Sequence, residues 1–202
     1  VARRLGYQFL DTGAMYRALT WAALNRRLDP EDEEAMGRLA AETVMDVTPP
    51  APGSGGRGRV RVDGEDATPH LRTPAVEASV SLVSRVPEVR RRMVSLQQRL
   101  ARGKPTVMAG RDIGTVVLPD ADLKVYLDAS RGERARRRCR QLAEKGSPAS
   151  FESVLEDLDR RDRLDSSRSV SPLRPAADAI IINTDGLSLE KVVTKILSLV
   201  EA

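Results

Sequence analysis

Thr106-Val107-Met108-Ala109-Gly110-Arg111-Asp112-Ile113-Gly114-Thr115-Val116-Val117-Leu118-Pro119-Asp120-Ala121, followed closely by Leu123-Lys124-Val125-Tyr126-Leu127-Asp128, is the stretch that decides how the chain is read. Two short apolar runs rich in β-branched residues, each ending in polar residues, predict neighbouring strands of a buried sheet that deliver charge at their carboxyl ends. Arg111 and Asp112 fall where the first run stops. Gly110 lets the backbone turn there and Gly114 opens the next turn, so a guanidinium and a carboxylate come to lie side by side at a cleft mouth. Such a pair suits a planar anion next to a polar ring or hydroxyl. A pair that only locks a loop is the alternative at this point.

Before this stretch, Val1 to Leu5 reads as the last turn of a helix capped by Gly6, and Tyr7 to Leu10 as a brief strand. Asp11-Thr12-Gly13 turns the strand into a helix from about Ala14 to Arg27, with Tyr16 and Arg17 in its first turn on the cleft side. Arg17 is either a ligand or an exposed helix arginine. A further helix is predicted from Pro30 through Met45, acidic at its start. Pro49 to Arg59 breaks the pattern and leads into a hairpin arm at Val60 to Asp66; its glycines follow no strand and lack a Gly-Lys-Ser/Thr ending, so they read as a loop rather than a phosphate cradle. Helices open at Thr73-Pro74 and at Pro87, and bring Ser81 and Arg90 toward one corner.

Beyond the central stretch, six arginines lie within residues 131 to 140. Arg134 and Arg138 share a helical face at i,i+4. The following segment carries Glu152, Glu156, Asp157, Asp159 and Asp162, so the two read as a helical hairpin, either solvated or presenting arginines to a polyphosphate. Arg161, Asp165 and Arg168 stand at i, i+4 and i+7, a spacing that fits a phosphate and a sugar hydroxyl or a salt-bridged surface stripe. Ala179 to Asn183 has the pattern of a fully buried strand, and a last helix runs from Leu187 to Val200. The recurrence of strand then helix argues for a parallel, doubly wound sheet.

The totals agree with one α/β domain: 202 residues, 41% hydrophobic, net charge +4. Only five of the 33 basic residues are lysines, and arginine's rigid fork matches phosphates well. One cysteine, Cys139, and one histidine, His70, exclude a disulfide framework and a structural zinc site. Six aromatic residues are poor material for stacking exposed bases. No apolar run reaches the roughly 18 residues of a membrane span, and no signal peptide opens the chain, so a cytoplasmic location away from membranes is expected.

Taken in order, Phe9-Leu10-Asp11-Thr12-Gly13-Ala14-Met15-Tyr16-Arg17, Asp63-Gly64-Glu65-Asp66, Gly110-Arg111-Asp112-Ile113-Gly114-Thr115-Val116-Val117, the Arg134 to Arg138 segment and Arg160 to Leu173 closely resemble the bacterial cytidylate kinases. These are nucleoside monophosphate kinases with a P-loop NTPase fold. The resemblance implies a three-layer α/β/α arrangement with a mostly parallel central sheet whose first strand is missing from these residues. It also implies a core at 1–47, 87–128 and 151–202, a CMP-binding insert at 48–86 and a helical lid at 129–150. The implied reaction is transfer of the γ-phosphoryl of ATP, with Mg2+, to CMP or dCMP. By position, Ser81, Arg90 and Asp112 would read cytosine, Asp165 with Arg161 would hold the sugar, and Arg17, Arg111 and Arg168 would grip the CMP phosphate. Arg134 and Arg138 would come with the lid toward the transferring phosphoryl, joined in catalysis by Arg111. A monomer with nucleotide partners and no nucleic acid is expected.

Two positions depart from the family pattern. The motif Gly-x-x-x-x-Gly-Lys-Ser/Thr, which supplies the donor cradle and a magnesium hydroxyl, does not occur in these residues. The expectation is that it lies upstream of Val1, and that a polypeptide beginning at Val1 is an inefficient kinase; a CMP-binding remnant is the alternative. Ala109 stands where relatives usually carry a carboxylate. The other readings are a kinase of the same fold for another small acceptor, an arginine-rich nucleic-acid binder and a purely structural protein.

Overall fold

The structure, a computed structural model, describes residues 1–51, 58–144, 146–166 and 173–201. After a short helix α1 (Ala2–Leu5), strand β1 (Gln8–Asp11) runs directly into α2 (Thr12–Asn25). The junction is sharp because Asp11 ends the strand and its carboxylate accepts the Ala14 amide at 3.3 Å, satisfying a free donor of the first helical turn. Helix α3 (Glu33–Glu42) starts later than the sequence predicts, because Asp32 is its cap, with Oδ1 accepting the Ala35 amide at 2.9 Å. It also stops earlier. Thr43 is extended, and Met45 belongs to β2 (Met45–Thr48).

Strand β2 pairs antiparallel with β3 (Arg59–Val62), which pairs with β4 (Glu65–Asp66). The two-residue turn between β3 and β4 places both Asp63, at φ 51, and Gly64, at φ 84, in the left-handed region. That is the turn an Asp-Gly pair favours between twisted strands. The six residues 52–57 of the predicted glycine loop lie outside the described residues.

Helices α4 (Pro74–Arg85) and α5 (Pro87–Ala101) each begin on a proline, which lacks the amide that a first helical turn leaves unbonded. Together with α2, α3 and β3 they enclose the main core, which includes Met15, Leu19, Met36, Val62, Val83 and Met93. Each such buried side chain stabilises the fold by roughly 1.5–3 kcal/mol before entropy is counted. This core runs unbroken from α2 into the β-hairpin and α4.

Strand β5 (Thr106–Ala109) pairs parallel with β1, with Asp11 opposite Ala109. It leads through a π-helical turn at Ile113–Val117 to β6 (Val125–Asp128), then to α6 (Arg131–Glu144) and α7 (Phe151–Ser166). Strand β7 (Ile180–Asn183) returns parallel beside β6, and α8 (Leu189–Val200) follows. The chain is thus α/β with parallel strands joined through helices, as predicted.

Two expectations change. β5 and β6 are not hydrogen-bonded neighbours: β5 takes β1 as partner and β6 takes β7, because each parallel pair is closed by a long crossover rather than by the short link between β5 and β6. Nor is the Ala179 to Asn183 strand fully buried, since Ile181 is 61% exposed and only Ile182 is covered. Its strand partner β6 covers an edge but no face.

Candidate functional site

The parallel pairing of β1 and β5 brings the start of α2 and the Arg111-Asp112 turn to the same end of the strands. The approach is close. A Cβ on Gly110 would stand 2.3 Å from Thr12 Oγ1 and 2.7 Å from Ile113 Cδ1, so only glycine fits without a shift. The Thr12 hydroxyl in turn donates to the Ala109 carbonyl at 3.0 Å and ties the two segments together.

One cleft opens at this end. Its lining includes Arg17 of α2, Ser81 of α4, Arg90 of α5, Arg111 and Asp112 from the turn, and Arg161 and Asp165 of α7. Seven residues singled out in the sequence therefore meet in one place, drawn from five separate segments. Arg168 lies outside the described residues. Arg134 and Arg138, on α6, are not in the cleft lining and stand beside it, held by carboxylates.

The deepest pair is Arg90 with Asp112, both nearly covered, with an ion pair between Arg90 Nη2 and Asp112 Oδ2. Arg90 Nη1 also donates to the Ser84 carbonyl at 3.1 Å, and the guanidinium lies 5.4 Å from the centre of the Tyr16 ring. A charge so deep must be paired, and here a carboxylate, a carbonyl and an aromatic face share it. Ser81, one turn before Arg85 on α4, is covered as well and completes a polar corner.

Nearer the opening, Arg111 Nη1 is 2.7 Å from Asp165 Oδ2 and 3.4 Å from Asp162 Oδ1. Asp162 also receives both terminal nitrogens of Arg134, Nη2 at 3.0 Å. Burial pushes the Asp162 carboxyl up, but the hydrogen bond and charge of Arg134 prevail and hold it below the usual carboxylate range. The same bond raises the Arg134 guanidinium further.

The third group surrounds Glu77 of α4. Its Oε1 accepts from Arg17 Nε at 3.0 Å, and its Oε2 from Arg138 Nη2 at 3.1 Å. Arg72 and Arg161 stand 3.6 Å from the same carboxylate. Burial pushes the Glu77 carboxyl up, yet Arg17, Arg138 and Arg161 together bring it below its ordinary value. Burial lowers Arg72 and Arg161, reinforced by the like charges of Arg17 and Arg111 respectively. Four guanidiniums share this carboxylate, with Asp11 and Asp165 acting on two of them at longer range, so among the described residues arginines outnumber carboxylates at this end of the cleft, which suits a polyanionic group.

Glu77 and Arg72 did not emerge as site residues from the sequence. Glu77 stands one helical turn before Ser81, and that i,i+4 relation is the signal that places it on the same wall. The arginine and acidic helices do form the predicted hairpin: Arg131 pairs with Asp159 through two nitrogens and Arg134 with Asp162. Arg137 faces elsewhere, donating to the Thr184 hydroxyl at 2.9 Å and carbonyl at 2.6 Å. Among the described residues no group of three or more His, Cys, Asp or Glu side chains is arranged to hold a metal ion, and Asp112 and Asp165 are engaged by arginines.

The sequence model of the family described as cytidylate kinase matches residues 1–202. Among curated relatives, a cytidylate kinase of Pelotomaculum thermopropionicum is 46% identical over 202 residues, covering 100% of this chain and 88% of the relative. One of Desulfitobacterium hafniense is 47% identical over 199 residues, covering 98% of this chain and 84% of the relative. A bifunctional pantoate ligase/cytidylate kinase of a Synechococcus species is 47% identical over 199 residues, which are 98% of this chain and 37% of that protein. Matched along its whole length by the family model and by relatives of this identity, the chain belongs to the cytidylate kinase family.

Proposed function

We propose that this chain carries the acceptor site and lid of an enzyme that transfers the γ-phosphoryl of ATP to CMP or dCMP, giving ADP and CDP or dCDP. The observation that carries the reading is the meeting of Arg17, Ser81, Arg90, Arg111, Asp112, Arg161 and Asp165 in one cleft, with paired charge at its depth and excess positive charge at its opening. In this reading Asp112 and Ser81 accept from the cytosine amino group while Arg90 donates to the ring acceptors. Asp165, with Arg161, holds the sugar. Arg17 and Arg111 grip the phosphate, together with Arg168.

A phosphate monoester dianion is itself the nucleophile, so this chemistry asks for positioning and charge stabilisation rather than for a histidine or cysteine base. Arginines converging on the equatorial oxygens stabilise the spread charge, more strongly where a lid excludes water. We assign that part to Arg111 and, with segment 129–150 as the lid, to Arg134 and Arg138; residues 48–86 are the acceptor-binding insert of this reading. Magnesium, when it enters with ATP, supplies charge neutralisation on the donor phosphates. We further read the enzyme as a cytoplasmic monomer; among the described residues no helix is long and apolar enough to cross a membrane.

Calorimetric titration of the 202-residue chain with CMP, UMP and AMP, and separately with ATP and magnesium, tests the acceptor site. CMP is expected to bind and to outcompete UMP and AMP. A folded chain that ignores CMP would overturn the assignment, and preference for another monophosphate would favour a kinase of the same fold with a different acceptor.

A further inference from the structure

Glu77 is ion-paired with four guanidiniums, and those four come from different parts of the chain: Arg17 from α2, Arg72 from the segment before α4, Arg138 from α6 and Arg161 from α7, with Asp11 and Asp165 acting on Arg72 and Arg161 at longer range. Two of its partners, Arg17 and Arg161, line the cleft, while Arg138 stands beside it on the arginine-rich helix. The carboxylate oxygens are taken by nitrogens at hydrogen-bonding distance, Arg17 on one and Arg138 on the other. This is how an arginine cluster holds a phosphate: oxygens of one anion divided among guanidinium forks.

We infer that Glu77 stands in for the acceptor's phosphate in the ligand-free protein, and that by doing so it keeps Arg138 latched beside Arg17 until a substrate phosphate displaces it. The inference rests on the acceptor-site reading and adds to it a residue and an order of events. A carboxylate brings one negative charge to four positive ones, whereas a phosphate monoester near neutral pH brings nearly two and a third terminal oxygen. The incoming group is therefore the better partner for Arg17, which hydrogen-bonds Glu77 in the free protein. Once Arg17 turns to it, Glu77 faces a like charge and loses its hold on Arg138. The arginine of the α6 helix is then released at the moment the acceptor is in place, which couples acceptor binding to the availability of a cation for the second phosphate group.

A carboxylate that merely aligned the arginines would have the opposite effect on affinity when removed, so the sign of the change separates the two roles. The experiment titrates wild type, Glu77→Gln and Glu77→Asp with CMP, with cytidine and with inorganic phosphate, and follows amide hydrogen exchange along α6 without ligand. Removing one negative charge a few ångströms from the bound phosphate is expected to tighten CMP and inorganic phosphate by at least about fivefold in Glu77→Gln. Cytidine affinity should stay unchanged, and exchange along α6 should quicken toward that of wild type saturated with CMP. If the glutamine variant fails to fold, Glu77→Asp, which retains the charge but draws it back, is expected to tighten phosphate by about twofold. Unchanged or weakened phosphate binding in the folded variant overturns the inference. A folded wild type that does not bind CMP counts against the acceptor site instead, and the inorganic phosphate titrations still judge Glu77.

Discussion

Arg111 Nη1 lies 2.7 Å from Asp165 Oδ2, joining the turn after β5 to the last turns of α7 across a separation of more than fifty residues. Asp165 is 2% exposed, and Arg111 sets a guanidinium against its buried carboxylate. Replacing it with asparagine is expected to cost about 1–3 kcal/mol of stability through the weakened charged hydrogen bond. Because the sugar is assigned to this carboxylate, CMP and cytidine should both bind about tenfold more weakly. Urea denaturation and calorimetry on the same preparation check the two effects. Loss of CMP binding with cytidine untouched would instead put Asp165 at the phosphate.

Asp112→Asn leaves the Arg90 guanidinium buried without its counter-charge, and a penalty of about 3–5 kcal/mol is expected for breaking such a pair. Adding Arg90→Gln should restore part of that stability, since both buried charges are then gone. A double-mutant cycle measured by urea midpoint gives the coupling. Additive losses would show that the pair does not act as one unit. Neither variant should discriminate CMP from UMP as wild type does.

Acid is expected to weaken the fold at the cleft. Asp162 and Glu77 have folded values below their ordinary 3.8 and 4.5, so their contributions are complete above the unfolded values and fade as pH falls through the folded ones. Stability should therefore be level on their account above about pH 6 and decline below about pH 4.5. Asp162→Asn should flatten part of that decline while lowering stability at neutral pH. Thermal midpoints taken from pH 3 to 7 supply the comparison, and an identical acid slope in both proteins would remove Asp162 from the account.

Gly110→Ala and Gly64→Ala make a matched pair of backbone tests. At Gly110 a methyl meets Thr12 Oγ1 and Ile113 Cδ1, and a loss of about 1–3 kcal/mol is expected from overpacking. At Gly64 nothing lies within 4 Å, but φ is +84, so the cost of about 1 kcal/mol is conformational. Only the first sits at the cleft. CMP affinity should fall in Gly110→Ala and hold in Gly64→Ala; equal effects on binding would mean that the turn geometry at Gly110 is not what orients Arg111 and Asp112.

Much of the architecture was legible in local chemistry. Asp11 before Thr12, Pro74 and Pro87 at helix starts, and Asp63-Gly64 between strands act within one turn of chain, and each produced the element it predicts. The start of α3 is ambiguous in sequence because Pro30 and Asp32 both offer beginnings, and the structure takes Asp32, whose carboxylate accepts the Ala35 amide. Strand partners were less legible. Apolar runs reveal that a segment is a strand but not which edge it joins, so β5 and β6, adjacent in sequence, pair with β1 and β7.

The sequence by itself determined the residue types, their spacing on each helix and the charge at the strand ends, because capping, turn formation and helical periodicity depend on neighbours a few residues apart. Only the tertiary structure decided which charges meet. Arg90 finds Asp112, Arg111 finds Asp165, and Glu77 gathers arginines from four segments, since Coulombic pairing acts through space and burial makes each unmatched charge costly. In sequence Glu77 offers only its i,i+4 relation to Ser81; apart from Arg72, five residues before it, the arginines that surround it come from distant segments.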